Sequence, residues 1–202
     1  MNKIFKKTLS LVGGFTLLVM LNGPVAAANS VQFTQGNIIN AASGDSLTVN
    51  LVGRDFTGGP DGAAFSLAWD PSVLNYVNTE IANPPWDTPY VSDANAASGI
   101  IDYVFLTKSV GNAGSNFDIA SFTFNVLGNP GATTALALSN PAIADTGFTL
   151  PGGSLIDVNY VNSQVQVAPV PVPAAAWLFG TGLMSLLGSM RIRKNLPGAK
   201  NI

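Results

Sequence analysis

The sequence predicts an all-β fold, a two-sheet antiparallel sandwich, and three observations predict it. Apolar residues recur with a period of two in short runs, as in Leu47, Val49, Leu51 and again in Ala120, Phe122, Phe124, Val126. Clusters of Gly, Pro and Asn separate those runs at short intervals. Between residues 29 and 167 no stretch sustains a period of 3.6, so about eight short strands must bury their apolar faces against one another.

Taken in order, Val31 and Phe33 alternate with polar neighbours and predict a first edge strand. Residues 40–45 read as a turn, and Leu47 to Leu51 as a half-buried strand. The Gly- and Pro-rich segment 57–62 is a loop. Ala63, Phe65, Leu67 and Trp69 alternate next, which assigns Trp69 to the core. Asp70-Pro71-Ser72 turns the chain, and Leu74 and Tyr76 begin another strand. Residues 83–90, with three prolines, read as an irregular loop that carries Trp86 and Tyr90. Ile101, Tyr103 and Phe105 form a strand, and residues 119–127 form the most strongly patterned one. Thr134, Leu136 and Leu138 follow, then mostly loop to residue 153. Runs through Ile156, Val158, Tyr160 and Val161, Val165, Val167 close the domain.

The two ends have a different character. Lys3, Lys6 and Lys7 precede an apolar run from residue 8 to 21, and Ala26-Ala27-Ala28 offers small residues for cleavage near Ala28. This is the pattern of a secretory signal peptide. Near the other end, residues 174–190 carry no charge. At about 1.5 Å per residue a helix there just crosses a thin hydrocarbon layer. Trp177 suits the interface, and Arg191, Arg193 and Lys194 mark the cytoplasmic side as a basic stop-transfer signal. The predicted organisation is therefore a signal peptide (1–28), a sandwich (29–167), a Pro-rich linker (168–173), a transmembrane helix (174–190) and a basic cytoplasmic tail (191–202).

Two resemblances follow from particular residues. Val170-Pro171-Val172-Pro173, the Ala-Ala-Ala-Trp-Leu-Phe-Gly start of the helix at Ala174, and the Arg-rich end together resemble the PEP-CTERM sorting signal of exopolysaccharide-producing Gram-negative bacteria. Val172 stands where that motif usually has Glu. The resemblance implies an exosortase-type processing enzyme as a partner, transient residence in the inner membrane, and a mature protein at the cell surface or in the biofilm matrix. The second resemblance rests on Gly44 to Leu51, Gly62 to Leu74, Ile119 to Val126 and Ala144-Asp145-Thr146-Gly147. These segments, and Trp69-Asp70-Pro71-Ser72-Val73-Leu74 above all, look like a cohesin-type domain. Such a domain is a jelly-roll sandwich related to carbohydrate-binding modules, and it grips dockerin modules through an exposed sheet face.

Charge and composition bound the function. The ends hold seven of the nine cations, so residues 29–167 keep only Arg54 and Lys108 against all eleven acids, a net charge of −9. Such a surface repels phosphate backbones and excludes nucleic-acid binding. Histidine and cysteine are absent from the chain. No disulfide and no Ser–His or Cys–His couple can form, and the commonest general base and metal ligand is missing. Asp55 and Asp61 flank the Gly-rich loop, but their spacing matches no calcium loop and they read as solvated turn acids. The expected protein is therefore not an enzyme and needs no cofactor.

Trp86 and Tyr90 are the candidate ligand contacts, since flat rings in a proline-rich loop can stack on sugar faces. The alternative is that both rings simply cover the sandwich end. The expected function is an exported, non-catalytic surface or matrix protein whose sandwich binds exopolysaccharide or a dockerin-like or other surface protein. The alternative is a single-pass, membrane-anchored structural envelope protein with no specific ligand.

Overall fold

Each alternating run hydrogen-bonds to a neighbour, and in the computed structural model, which describes residues 29–143, 145–169 and 178–185, they make thirteen strands. These are β1 (Ser30–Phe33), β2 (Ile38–Ala42), β3 (Ser46–Arg54), β4 (Gly62–Ala68), β5 (Leu74–Ile81), β6 (Thr88–Ser92) and β7 (Ile100–Thr107). They continue as β8 (Phe117–Val126), β9 (Thr133–Ser139), β10 (Phe148–Thr149), β11 (Leu155–Ile156), β12 (Asn159–Val161) and β13 (Ser163–Ala168). A five-stranded sheet has the order β12-β1-β3-β8-β5. An eight-stranded sheet has the order β11-β10-β4-β9-β13-β2, with β7 on the other edge of β4 and β6 beyond it.

The core lies between the two sheets. Val49 and Leu51 of β3, Phe65 and Leu67 of β4, and Phe122 and Phe124 of β8 are all buried. The Phe65 and Phe122 rings meet edge-on, 6.4 Å apart at 84°. Trp69 joins this core as expected: its ring lies 5.1 Å from that of Phe124, and its indole N–H donates to the Leu74 carbonyl. At the Asp70 turn, the Val73 and Leu74 amides both donate to the Asp70 carbonyl, and Leu74 is fully buried. Each large apolar side chain so buried contributes about 1.5–3 kcal/mol. This is how a chain without cysteine holds its fold.

Several expectations need correction. The first strand is not an edge, because β1 sits between β12 and β3. The sandwich is not wholly antiparallel, because β1 runs parallel to β12 and β2 parallel to β13. Residues 40–42 belong to β2 rather than to a turn, which begins only at residue 43. The short run Ile38-Ile39-Asn40-Ala41-Ala42 carries almost no apolar–polar alternation to reveal it. Strand β2 exists because β13 supplies its hydrogen bonds, with Val165 opposite Ile39 and Val167 opposite Ala41.

Segment 83–90 is not all loop either, for residues 88–92 form β6 on the free edge of β7. An edge strand tolerates Pro89 because one side needs no donor.

The signal-peptide assignments, including Ala26 and Ala28, lie outside the described residues. So do the sorting motif Val170, Pro171, Val172, Pro173 and the basic residues Arg191, Arg193, Lys194. Within the proposed membrane segment, residues 178–185 are helical, with Leu178, Phe179, Leu183 and Met184 exposed. No helix among the described residues is long and apolar enough to cross a membrane.

Candidate functional site

The outer face of the eight-stranded sheet carries the most distinctive group of exposed side chains, and a bulge in β7 puts it there. Strand β4 pairs with β7 as Phe65 opposite Val104 and Leu67 opposite Ile101, so Asp102 and Tyr103 together oppose Ser66. The extra residue reverses the alternation. Ile101, Val104 and Leu106 therefore point into the core, while Tyr103 and Phe105 turn outward. A strict period of two puts Ile101, Tyr103 and Phe105 on one face, and this is the step that the structure overturns.

Strand β6 completes the group. Tyr90 lies directly across from Phe105 and is 58% exposed. Its ring centroid is 6.2 Å from that of Tyr103. The Tyr103 and Phe105 rings stack nearly parallel, 5.9 Å apart at 10°. Three aromatic rings thus form one strip on the sheet surface. Rings so presented lose little conformational entropy on binding and offer large contact areas.

The strip is held from below. Asp87, just before β6, accepts bonds from the Ser109 amide and hydroxyl. These bonds hold its carboxyl below the usual carboxylate range and tie the start of β6 to the chain that leaves β7. Beside Phe105, the sheet floor is made of small residues. Ala64 and Ser66 are buried, and the Ser66 hydroxyl donates to the Asp102 carbonyl. Farther along the same sheet, Ala68, Ala135 and Ala137 line a shallow hollow of about 410 Å³ with Asp70 at its rim. The Asp70 carboxylate accepts from the Ser72 hydroxyl and amide, which holds its pKa below the ordinary value. The face is therefore an aromatic strip, a small-residue floor and a fixed negative charge.

The two candidate ligand contacts part company here. Tyr90 is on the strip. Trp86 is completely buried, with its ring edge-on to Phe117 at 5.6 Å and its indole N–H donating to the Asp118 carbonyl at 3.0 Å. Its ring has no face open to a ligand, and it closes the end of the sandwich. Tyr103 and Phe105 were missed because their outward direction depends on the bulge, which leaves no mark in the residue pattern.

Asp61 accepts from the Thr149 hydroxyl, and no group of three or more His, Cys, Asp or Glu side chains comes together among the described residues.

No protein family's sequence profile matches the chain, and a search of curated proteins finds no match. Solved structures do match it. The seventh type I cohesin of scaffoldin ScaB from Pseudobacteroides cellulosolvens is 17% identical, with a TM-score of 0.56 over 72% of this chain and 96% of the cohesin. A type I cohesin from Clostridium thermocellum, solved in complex with a dockerin, is 14% identical, with a TM-score of 0.58 over 71% and 96%. A type III cohesin of a cellulosomal cell-surface anchoring scaffoldin from Ruminococcus flavefaciens is 10% identical, with a TM-score of 0.56 over 71% and 89%. The domain thus has an all-β sandwich fold similar to that of cohesins.

Proposed function

We propose that this cohesin-like sandwich is a non-catalytic exported module that docks a protein partner on the outer face of its eight-stranded sheet. The observation that carries the proposal is the strip of Tyr90, Tyr103 and Phe105, with the small-residue hollow of Ala68, Ala135 and Ala137 farther along the same sheet. Exposed aromatics next to a flat, small-residue surface make a docking anchor, because the rings bury much area and the floor lets a partner approach closely. The exposed Tyr90 and Phe105 would supply the hot spot. The anionic Asp70 would favour a partner with basic residues at that end.

The likeness to cohesins, one of them solved with a dockerin bound, supports a dockerin-like protein as that partner. Export rests on the Lys-rich apolar start and its Ala28 cleavage position. Sorting rests on Val170 to Pro173 and the cations from Arg191 to Lys194, which an exosortase-type enzyme would read before releasing the domain to the envelope surface. The absence of His and Cys from the chain supports a binding role rather than catalysis.

The test uses tagged protein purified from its native host after mild crosslinking, and mass spectrometry of what is recovered. The expected result is a mature C-terminus near residues 170–173 and one enriched protein that is lost in the Tyr90→Ala, Phe105→Ala double variant. Peptides spanning 173–190 in the mature form would overturn the sorting reading. An unchanged recovery profile in the double variant would overturn the docking face.

A further inference from the structure

We infer that the opposite face of the molecule, the outer side of the five-stranded sheet, is a separate binding site: a polar trough for a glycan chain that places a carboxylate-bearing sugar over Arg54. The inference is independent of the docking face, since the two surfaces lie on different sheets.

Two hollows meet on this face, one of about 350 Å³ and one of about 250 Å³, and Thr34 lines both. The first reaches Glu80 of β5, Ser121 of β8 and Asn50 of β3, residues that pair in register across the three strands. The second reaches Gln32 of β1, Arg54 of β3 and Val161 of β12. Together they cross the sheet from edge to edge, about 19 Å at the usual ~4.8 Å strand spacing. A bulge between Leu51 and Val52 of the β3–β8 pair lies where the hollows join, and it bends the sheet locally.

The lining selects the ligand. Asp45, Asp61, Asp70, Asp87 and Asp102 accept hydrogen bonds from neighbouring protein groups. In the trough, the carboxylates of Glu80 and Asp118 and the side-chain amides of Asn50 and Gln32 have no such partner among the described residues. These are donors and acceptors of the kind that pair with sugar hydroxyls. Apolar residues line both hollows, Leu51, Ile81, Ala82 and Ala120 in the first and Phe33, Val52 and Val161 in the second, but each is buried or half-buried, so no protruding apolar side chain is offered to anchor a peptide. The trough also crosses the strands, so it offers no free ladder edge to an extended chain.

Charge narrows the class further. Arg54 is one of two cations in a domain of net charge −9. Its guanidinium donates only to the Gly53 carbonyl and forms no ion pair among the described residues. It leaves a planar donor fork for one carboxylate. Glu80 stands at the β5 end of the trough, and Asp118, on β8 opposite Val52, lies between Glu80 and Arg54; both repel a second one. A chain that is neutral apart from a single uronate above Arg54 satisfies both ends, whereas a polyuronate does not.

The test is an array of neutral oligosaccharides, each printed beside its singly uronate-bearing counterpart, probed with the full chain in mild detergent. Retention of at least one pair is expected, with the uronate-bearing member bound about tenfold more tightly. Arg54→Gln should equalise the two members, and Asn50→Ala should weaken both. Tyr90→Ala should change neither, while melting curves confirm that each variant is folded. Retention of no pair, a uronate preference that survives Arg54→Gln, or loss of binding in Tyr90→Ala would each overturn the inference.

Discussion

Replacing Trp86 with alanine separates a ring that holds the fold from a ring that meets a ligand. Trp86 is fully buried, edge-on to Phe117, and its indole N–H is bonded to the Asp118 carbonyl. Burying an indole removes roughly 200 Å² from water, or about 5 kcal/mol at ~25 cal/mol per Å². A compact denatured state lowers this, and large-to-alanine truncations in cores cost about 3–5 kcal/mol. A loss of about 4 kcal/mol is therefore expected, a large part of the ~5–15 kcal/mol typical of a whole domain. With a urea slope of about 2 kcal/mol/M, the midpoint should fall by about 2 M. Trp86→Phe keeps a ring against Phe117 but loses the donor, and should cost about 1–2 kcal/mol. Tyr90→Ala, at a position that is 58% exposed, should cost less than about 1 kcal/mol. The assay is urea unfolding of residues 29–169 followed by circular dichroism, with the buried Trp69 as a fluorescence reporter. A Trp86→Ala midpoint that moves no further than that of Tyr90→Ala would refute the assignment of Trp86 to the core.

Two further outcomes follow from local geometry. The carboxyls of Asp70 and Asp87 are held below their ordinary value of 3.8 by hydrogen bonds from Ser72 and Ser109. A depressed folded-state pKa contributes stability above the unfolded value, and that stability is lost as pH falls through the folded value. The urea midpoint should therefore decline below about pH 3.8, and Asp87→Asn should lower it at neutral pH while flattening the acid decline; an unaltered acid limb in that variant would contradict the Ser109 contact. Gly99 has φ +83, and a Cβ there would strike the Trp69 carbonyl and the Pro71 ring. Gly99→Ala should thus cost about 2 kcal/mol or more, read from the same unfolding curves, and a neutral result would mean that the turn into β7 is wrongly placed.

The site was only half legible in the residues. Tyr90 could be singled out because it ends a short segment that carries three prolines. Trp86 stood out in the same segment, yet the two differ completely in exposure. The indole lies over Phe117, which comes from β8, and no local pattern encodes a partner thirty residues away. Tyr103 and Phe105 look like core residues by alternation and are on the surface because of one inserted residue.

The residues by themselves determined the class of fold. Alternation at Leu47 to Leu51, Ala63 to Trp69 and Ala120 to Val126 is a local property of a strand with one or both faces buried, so it survives reading one residue at a time. The charge sorting that leaves residues 29–167 at −9, and the exclusion of His and Cys chemistry, need no coordinates at all. Only the tertiary structure decided which strands are neighbours, that β1 and β13 each have a parallel partner, and which face each ring occupies. Those outcomes depend on pairing register and bulges. A shift of one residue costs little in sequence pattern but moves every later side chain to the other side of the sheet.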